Sequence, residues 1–62
     1  MTSSRDLAKE VEEDGWRLDR SKGSHSVYVK DGTARPIVIP ADRKDLPKYV
    51  VSNVRRQIRS GT

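Results

Sequence analysis

The chain reads as an α+β fold in the order αβββα: a three-stranded antiparallel sheet with two helices on one face. Three observations predict it. Apolar residues recur at helical spacing at both ends of the chain, Leu7, Ala8 and Val11 near the start and Leu46, Val50, Val54 and Ile58 near the finish. The middle holds short alternating or β-branched stretches instead: Trp16-Arg17-Leu18-Asp19, His25 to Lys30 and Ile37-Val38-Ile39. Turn formers separate these stretches, namely Gly15, Gly23, the pair Asp31-Gly32 and Pro40.

Residues 1 to 3 are expected to be loose. Ser3 or Ser4 is suited to cap the first helix, with Asp6 three residues after Ser3 in an imperfect capping box. That helix is expected to reach about Asp14. Leu7, Ala8 and Val11 form its narrow apolar stripe, Asp6, Glu10 and Glu13 share another face, and Gly15 supplies the left-handed residue that ends it. Glu12, Glu13 and Asp14 stand at the negative end of the helix dipole, where each is disfavoured by about 0.3 kcal/mol or more. They read as a solvated face or as a contact for a basic partner surface.

Trp16 to Asp19 alternates as a half-buried strand does, with Trp16 as a core anchor. Arg20 to Ser24 is then a turn with Gly23 as its breaker. The second strand spans His25 to Lys30, and its period of two puts His25, Val27 and Val29 on one face and Ser26, Tyr28 and Lys30 on the other. The valines are expected to face the helices, which places His25 on that side at the strand end. Asp31-Gly32 predicts a two-residue hairpin, and a third strand from about Thr33 to Ile39 follows. Pro36 within it marks an edge strand or a bulge, because proline donates no ladder hydrogen bond. After the loop from Ala41, Asp45 is suited to cap a second helix over about Leu46 to Arg59, with Pro47 in its first turn. Arg55, Arg56 and Arg59 lie off the apolar stripe and complement the helix C-terminus. Residues 60 to 62 are expected to fray.

A chain of 62 residues accommodates a single domain, 1–62. A fold this short buries only about 60% of the surface its unfolded chain exposes. Apolar and aromatic residues make up 32% of it and none is Phe, so the core is thin. Its stability is expected near about 3–5 kcal/mol. With no cysteine and one histidine, disulfides, thiol chemistry and the usual Cys/His zinc sites are excluded, and neither a metal site nor a cofactor is expected. Apolar runs are short, against about 20 residues needed to span a bilayer, so a cytoplasmic protein without a membrane role is expected.

The net charge of +4 is unevenly spread. Residues 1 to 15 set two cations against five carboxylates, a balance of −3, whereas residues 16 to 62 set eleven against four, a balance of +7. A polyanion is therefore drawn to the sheet side of the molecule. The densest set of phosphate-suited groups lies in Arg20-Ser21-Lys22-Gly23-Ser24-His25-Ser26-Val27-Tyr28. His25 is a side chain that exchanges protons near neutrality. Lys22 and Arg20 are cations, Gly23 lets a backbone approach a ligand closely, and Ser24 adds a hydroxyl and an N–H.

In their order, Gly15-Trp16, Lys22-Gly23-Ser24-His25, Asp31-Gly32, Val38-Ile39-Pro40 and Lys44-Asp45-Leu46 resemble the HicA family, toxins of bacterial toxin-antitoxin pairs. The resemblance covers nearly the whole chain. It implies a double-stranded-RNA-binding-domain-like fold, cleavage of messenger RNA, and a HicB-like antitoxin that covers the active site. The family's catalytic histidine maps onto His25. The chemistry such a site supports needs no metal: the RNA 2′-OH attacks the neighbouring phosphorus, with a base for its proton, an acid for the leaving 5′ oxygen, and cations or N–H donors for the transition state. His25 serves as one proton carrier, Lys22, Gly23 and Ser24 are suited to stabilise charge, and the second carrier is unassigned. Two other readings stand beside this one. The chain is otherwise a non-catalytic RNA-binding module of the same shape, or an interaction protein whose acidic first helix and basic remainder pair with another chain.

Overall fold

The computed structural model describes residues 1–60. The elements follow the expected order: α1 Ser4–Glu13, β1 Arg17–Lys22, β2 His25–Val29, β3 Ile37–Pro40 and α2 Lys48–Ser60. The strands form one antiparallel sheet in the order β1-β2-β3. Both helices bury their apolar stripes against one face of it, an α+β fold consistent with the double-stranded-RNA-binding-domain arrangement. The core gathers Leu7 and Val11 of α1, Trp16, Tyr28, Ile37 and Ile39 of the sheet side, and Leu46, Val51 and Val54 at and before α2.

Both ends of α1 are set by local chemistry. Ser3 is extended, and its Oγ accepts from the Asp6 N–H at 3.1 Å, which satisfies one of the donors a helix leaves orphaned at its start. At the other end Gly15, at φ 98°, allows the Gly15 N–H to reach the Glu12 carbonyl and the Trp16 N–H to reach that of Val11. This is a Schellman stop, and it drops the Trp16 ring into the core. Asp14, expected on a solvated face, is instead an internal acceptor: its Oδ2 takes the Trp16 Nε1–H at 3.1 Å and lies 3.3 Å from Lys30 Nζ. Glu12 and Glu13 are exposed, as expected.

The sheet departs from expectation in extent and in phase. β1 continues through Arg20 to Lys22, so the turn before β2 is only Gly23-Ser24. On β2 the helix-facing residue is Tyr28, not Val27 or Val29 with His25. The reason lies in the next strand. Tyr28 is the register partner of Ile37 and Ser26 that of Ile39, and the two fully buried isoleucines pull their partners to the core face. Asp31-Gly32 forms a turn rather than a two-residue hairpin: the Thr33 N–H and Oγ1–H both donate to the Lys30 carbonyl, and only Gly32, at φ 87°, has positive φ there. Pro36 cannot join a ladder as a donor, and β3 begins only after it, as an edge strand.

α2 likewise begins later than expected, at Lys48. The Pro47 carbonyl, rather than an Asp45 cap, takes up the N–H groups of Val50 and Val51. Leu46 is buried ahead of the helix, and its N–H donates to the Thr2 carbonyl at 2.7 Å. Thr2, expected loose, is thus engaged, while Met1 is fully exposed. Ser4 Oγ completes the seam by donating to the Pro40 carbonyl at 2.6 Å and accepting from the Arg43 N–H at 2.9 Å. Arg55 forks onto both carboxylate oxygens of Glu10, at 3.1 and 2.8 Å, and ties α2 to α1. The fraying expected over 60 to 62 falls partly on residues outside those described; α2 itself runs through Ser60.

Candidate functional site

The β1–β2 hairpin carries the residues singled out above. Gly23 has φ 60° and Ser24 does not have positive φ, the pattern of a type II′ turn, whose first central position favours glycine. Nothing lies within 4 Å of where a Gly23 Cβ would sit, so the tip is open space. Lys22 and His25 flank the turn as register partners and therefore share a face.

A β-bulge then decides the rest. The register slips between Leu18 and Arg20, leaving Asp19 as the extra residue, so that Leu18 pairs with Tyr28 but Arg20 pairs with Val27. Counted by a strict period of two from Trp16, Arg20 and Lys22 would fall on the helix side and Arg17 on the other. With the bulge, Arg17, Arg20, Lys22 and His25 all lie on the face that the helices leave open. The apolar members of this face are Val27, Val29, Val38 and, opposite His25, Pro40; Val38 is 46% exposed. Tyr28 is on the opposite face, where burial, with the Glu12 carboxylate behind it, raises its phenol above the ordinary value.

Arg20, Lys22, Gly23, Ser24 and His25 are all exposed. Arg20 lies 3.9 Å from Asp19, a loose pairing, and among the described residues neither the Lys22 nor the His25 side chain has a hydrogen-bond or ion-pair partner. Ser24 anchors the tip: its carbonyl accepts the Ala41 N–H at 2.6 Å, which holds the hairpin against the end of β3. Arg17, which sequence reasoning did not single out, belongs to the same face and donates to Asp31 Oδ1 at 3.1 Å. Only the bulge relates it to Arg20 and Lys22, and the bulge has no signature in R-L-D-R.

His25 also borders a groove of ≈ 360 Å³ between the β3 edge and α2, with walls from Pro36, Val38, Pro40, Val50, Asn53, Val54 and Gln57. Gln57 Nε2 donates to the Pro36 carbonyl at 3.3 Å and pins the far end. A roomier cleft of ≈ 510 Å³ lies on the helix side, between the start of α1 and the loop after β3. It contains no histidine. Two of its three serines are committed, Ser3 to the α1 cap and Ser4 to the loop, while Ser26 also lines it. Among the described residues no three or more His, Cys, Asp or Glu side chains are gathered as metal ligands, and no helix is long and apolar enough to cross a membrane.

What the open face can do is bounded by these groups. It offers three cations for phosphates, one imidazole for a proton, a bare turn for close approach, and valines as a floor for an apolar surface. No curated protein matches the chain. The family model described as "HicA toxin of bacterial toxin-antitoxin" matches residues 4–59, a span that takes in α1, the whole sheet with the hairpin bearing His25, and all but the last residue of α2. By that match over nearly its full length, the chain belongs to the HicA toxin family.

Proposed function

We propose that this toxin is an endoribonuclease that cleaves messenger RNA without a metal, with His25 as a proton carrier. The observation that carries the reading is the sharing of one open face by His25, Lys22, Arg20 and Arg17. Three cations beside one imidazole suit a phosphodiester better than a neutral substrate. In the step, the 2′ oxygen bonds to phosphorus as the bond from phosphorus to the 5′ oxygen breaks. One proton leaves the 2′-OH and one arrives at the 5′ oxygen, giving a 2′,3′-cyclic phosphate and a 5′-OH. His25 handles one of these protons. Lys22 and Arg20 stabilise the added charge on the non-bridging oxygens, and the exposed Gly23-Ser24 turn lets the phosphate come close. The opposite orientation of Tyr28 argues against its being the second carrier, and water reaches the face freely.

A HicB-like antitoxin neutralises the toxin in this reading by covering the same hairpin. Protein–protein interfaces deplete lysine and favour arginine and apolar centres, and Arg17, Arg20 and the three valines supply such a patch. A non-catalytic RNA-binding module is favoured by one feature, the lack, among the described residues, of a partner that orients the His25 ring. The experiment that separates the two is incubation of wild type and His25→Ala with single-stranded RNA in EDTA, followed by identification of the new ends. Cutting by wild type alone, leaving cyclic phosphate and 5′-OH, is expected. Ends bearing 5′-phosphate overturn the mechanism, and RNA binding without cutting selects the module.

A further inference from the structure

Resting on the nuclease reading above, we infer that the groove between β3 and α2 holds one unpaired nucleobase next to the scissile phosphate, and that Asn53 reads its edge. His25 itself forms part of the groove wall, so an occupant lies against the reacting group. The remaining walls, Pro36, Val38, Pro40, Val50 and Val54, are apolar and suit the faces of a flat ring. Two side-chain amides also line the groove, and they differ. The Gln57 amide is held by the Pro36 carbonyl, whereas the Asn53 side chain is exposed and makes no hydrogen bond among the described residues. A carboxamide presents a donor and an acceptor side by side, the pattern that complements a base edge.

The placement of charge identifies the occupant as part of a nucleic-acid strand. Lys22 and Arg20 share the open face with His25, whereas among the described residues no Lys, Arg, Asp or Glu lines the groove. A strand that keeps its phosphates on the cations and turns a base into the groove passes directly over the imidazole. The base must be unstacked and unpaired to enter, so the substrate is single-stranded at the cut. At ≈ 360 Å³ the groove is at the small end of the about 300–1,000 Å³ typical of ligand sites, which suits a single nucleoside. Because Asn53 is neutral, its contribution goes to the choice of sequence rather than to general attraction.

The test compares wild type, Asn53→Ala and Lys22→Ala on a randomised single-stranded RNA pool, with the cut positions mapped. Asn53→Ala is expected to lower the base preference at one position beside the cut by about tenfold, as loss of a two-bond base contact does. Lys22→Ala is expected to slow cutting of all sequences alike. An unchanged preference in Asn53→Ala overturns the inference even though cutting itself proceeds. If wild type does not cut, the nuclease reading has failed independently, and a second measurement decides the groove. In an NMR titration of His25→Ala with short single-stranded RNA, shifts of the Asn53 side-chain amide and the Val38 and Val50 methyls support base entry. RNA binding that leaves those signals in place, or no binding, overturns it.

Discussion

The two faces of the sheet differ in almost everything but their backbone. The helix-covered face presents Tyr28, Ile37 and Ile39, buried to 6% exposure or less, and among the described residues no polar or charged residue is buried in the core. The open face presents Arg17, Arg20, Lys22 and His25 around valines that remain partly accessible. Substitutions on the first face should therefore change whether the chain folds, and substitutions on the second should change what it does. In so small a domain this separation matters, because a core worth about 3–5 kcal/mol leaves little stability to sacrifice to a reactive site.

The largest effect should come from the covered face. Ile37→Ala removes a fully buried side chain and is expected to cost about 2–5 kcal/mol, enough to leave much of the protein unfolded at 25 °C. Urea unfolding followed by circular dichroism checks this. A loss under about 1 kcal/mol would show that the core does not depend on the β3 isoleucines. On the open face, His25→Ala is expected to lower RNA cleavage by at least about 100-fold while moving the unfolding midpoint little. Joint loss of fold and activity would break the division between the faces.

Gly23→Ala lies between the two. Its Cβ would clash with nothing, so its cost is torsional, about 1–2 kcal/mol for a residue held at φ 60°. Rescue of stability by a D-alanine at this site in a synthetic chain would confirm that cause. Lys22→Ala and Arg20→Ala should each reduce the slope of log binding constant against log salt by about 0.7 with single-stranded RNA, with thermal stability unchanged. An unaltered slope removes that residue from the phosphate contacts.

The smallest effect concerns the fork between α1 and α2, away from both faces. The Arg55 side-chain hydrogen bonds hold Glu10 below its ordinary value of 4.5, against a smaller opposing effect of burial. A carboxylate lowered in this way contributes stability that is fully present above about pH 4.5 and is lost as the pH falls through its folded value. Glu10→Gln should thus weaken the fold slightly at neutral pH and flatten its decline in acid. The pair is exposed and screened, so added salt should shrink the difference. Parallel acid unfolding curves for the two proteins would show that the fork contributes nothing.

Much of this architecture is legible in the residues alone. The helical spacing of Leu7 and Val11 and of Val50, Val54 and Ile58 defines both helices, because a helix can bury only one stripe. Ser3 and Gly15 mark the ends of α1 through local hydrogen bonding that needs no partner element. Gly23, Ser24 and His25 are adjacent in the chain, so their meeting at one hairpin tip follows from the sequence. Recognition of the family likewise rests on short local motifs, and the family match spans them.

Tertiary structure decided which way the sheet faces and which cations accompany His25. In H-S-V-Y-V either face is apolar enough to be buried, and the choice fell to Ile37 and Ile39, whose pairing with Tyr28 and Ser26 is a contact between strands. The Asp19 bulge is also a relation between two strands, and it alone brings Arg17, Arg20 and Lys22 onto one side. The groove beside His25 exists only because α2 packs along the β3 edge. Local spacing fixes which elements form and, at α1, where the element stops. Register, phase and the space between elements depend on which buried surface prevails when the strands pair, and no single stretch of the chain contains that information.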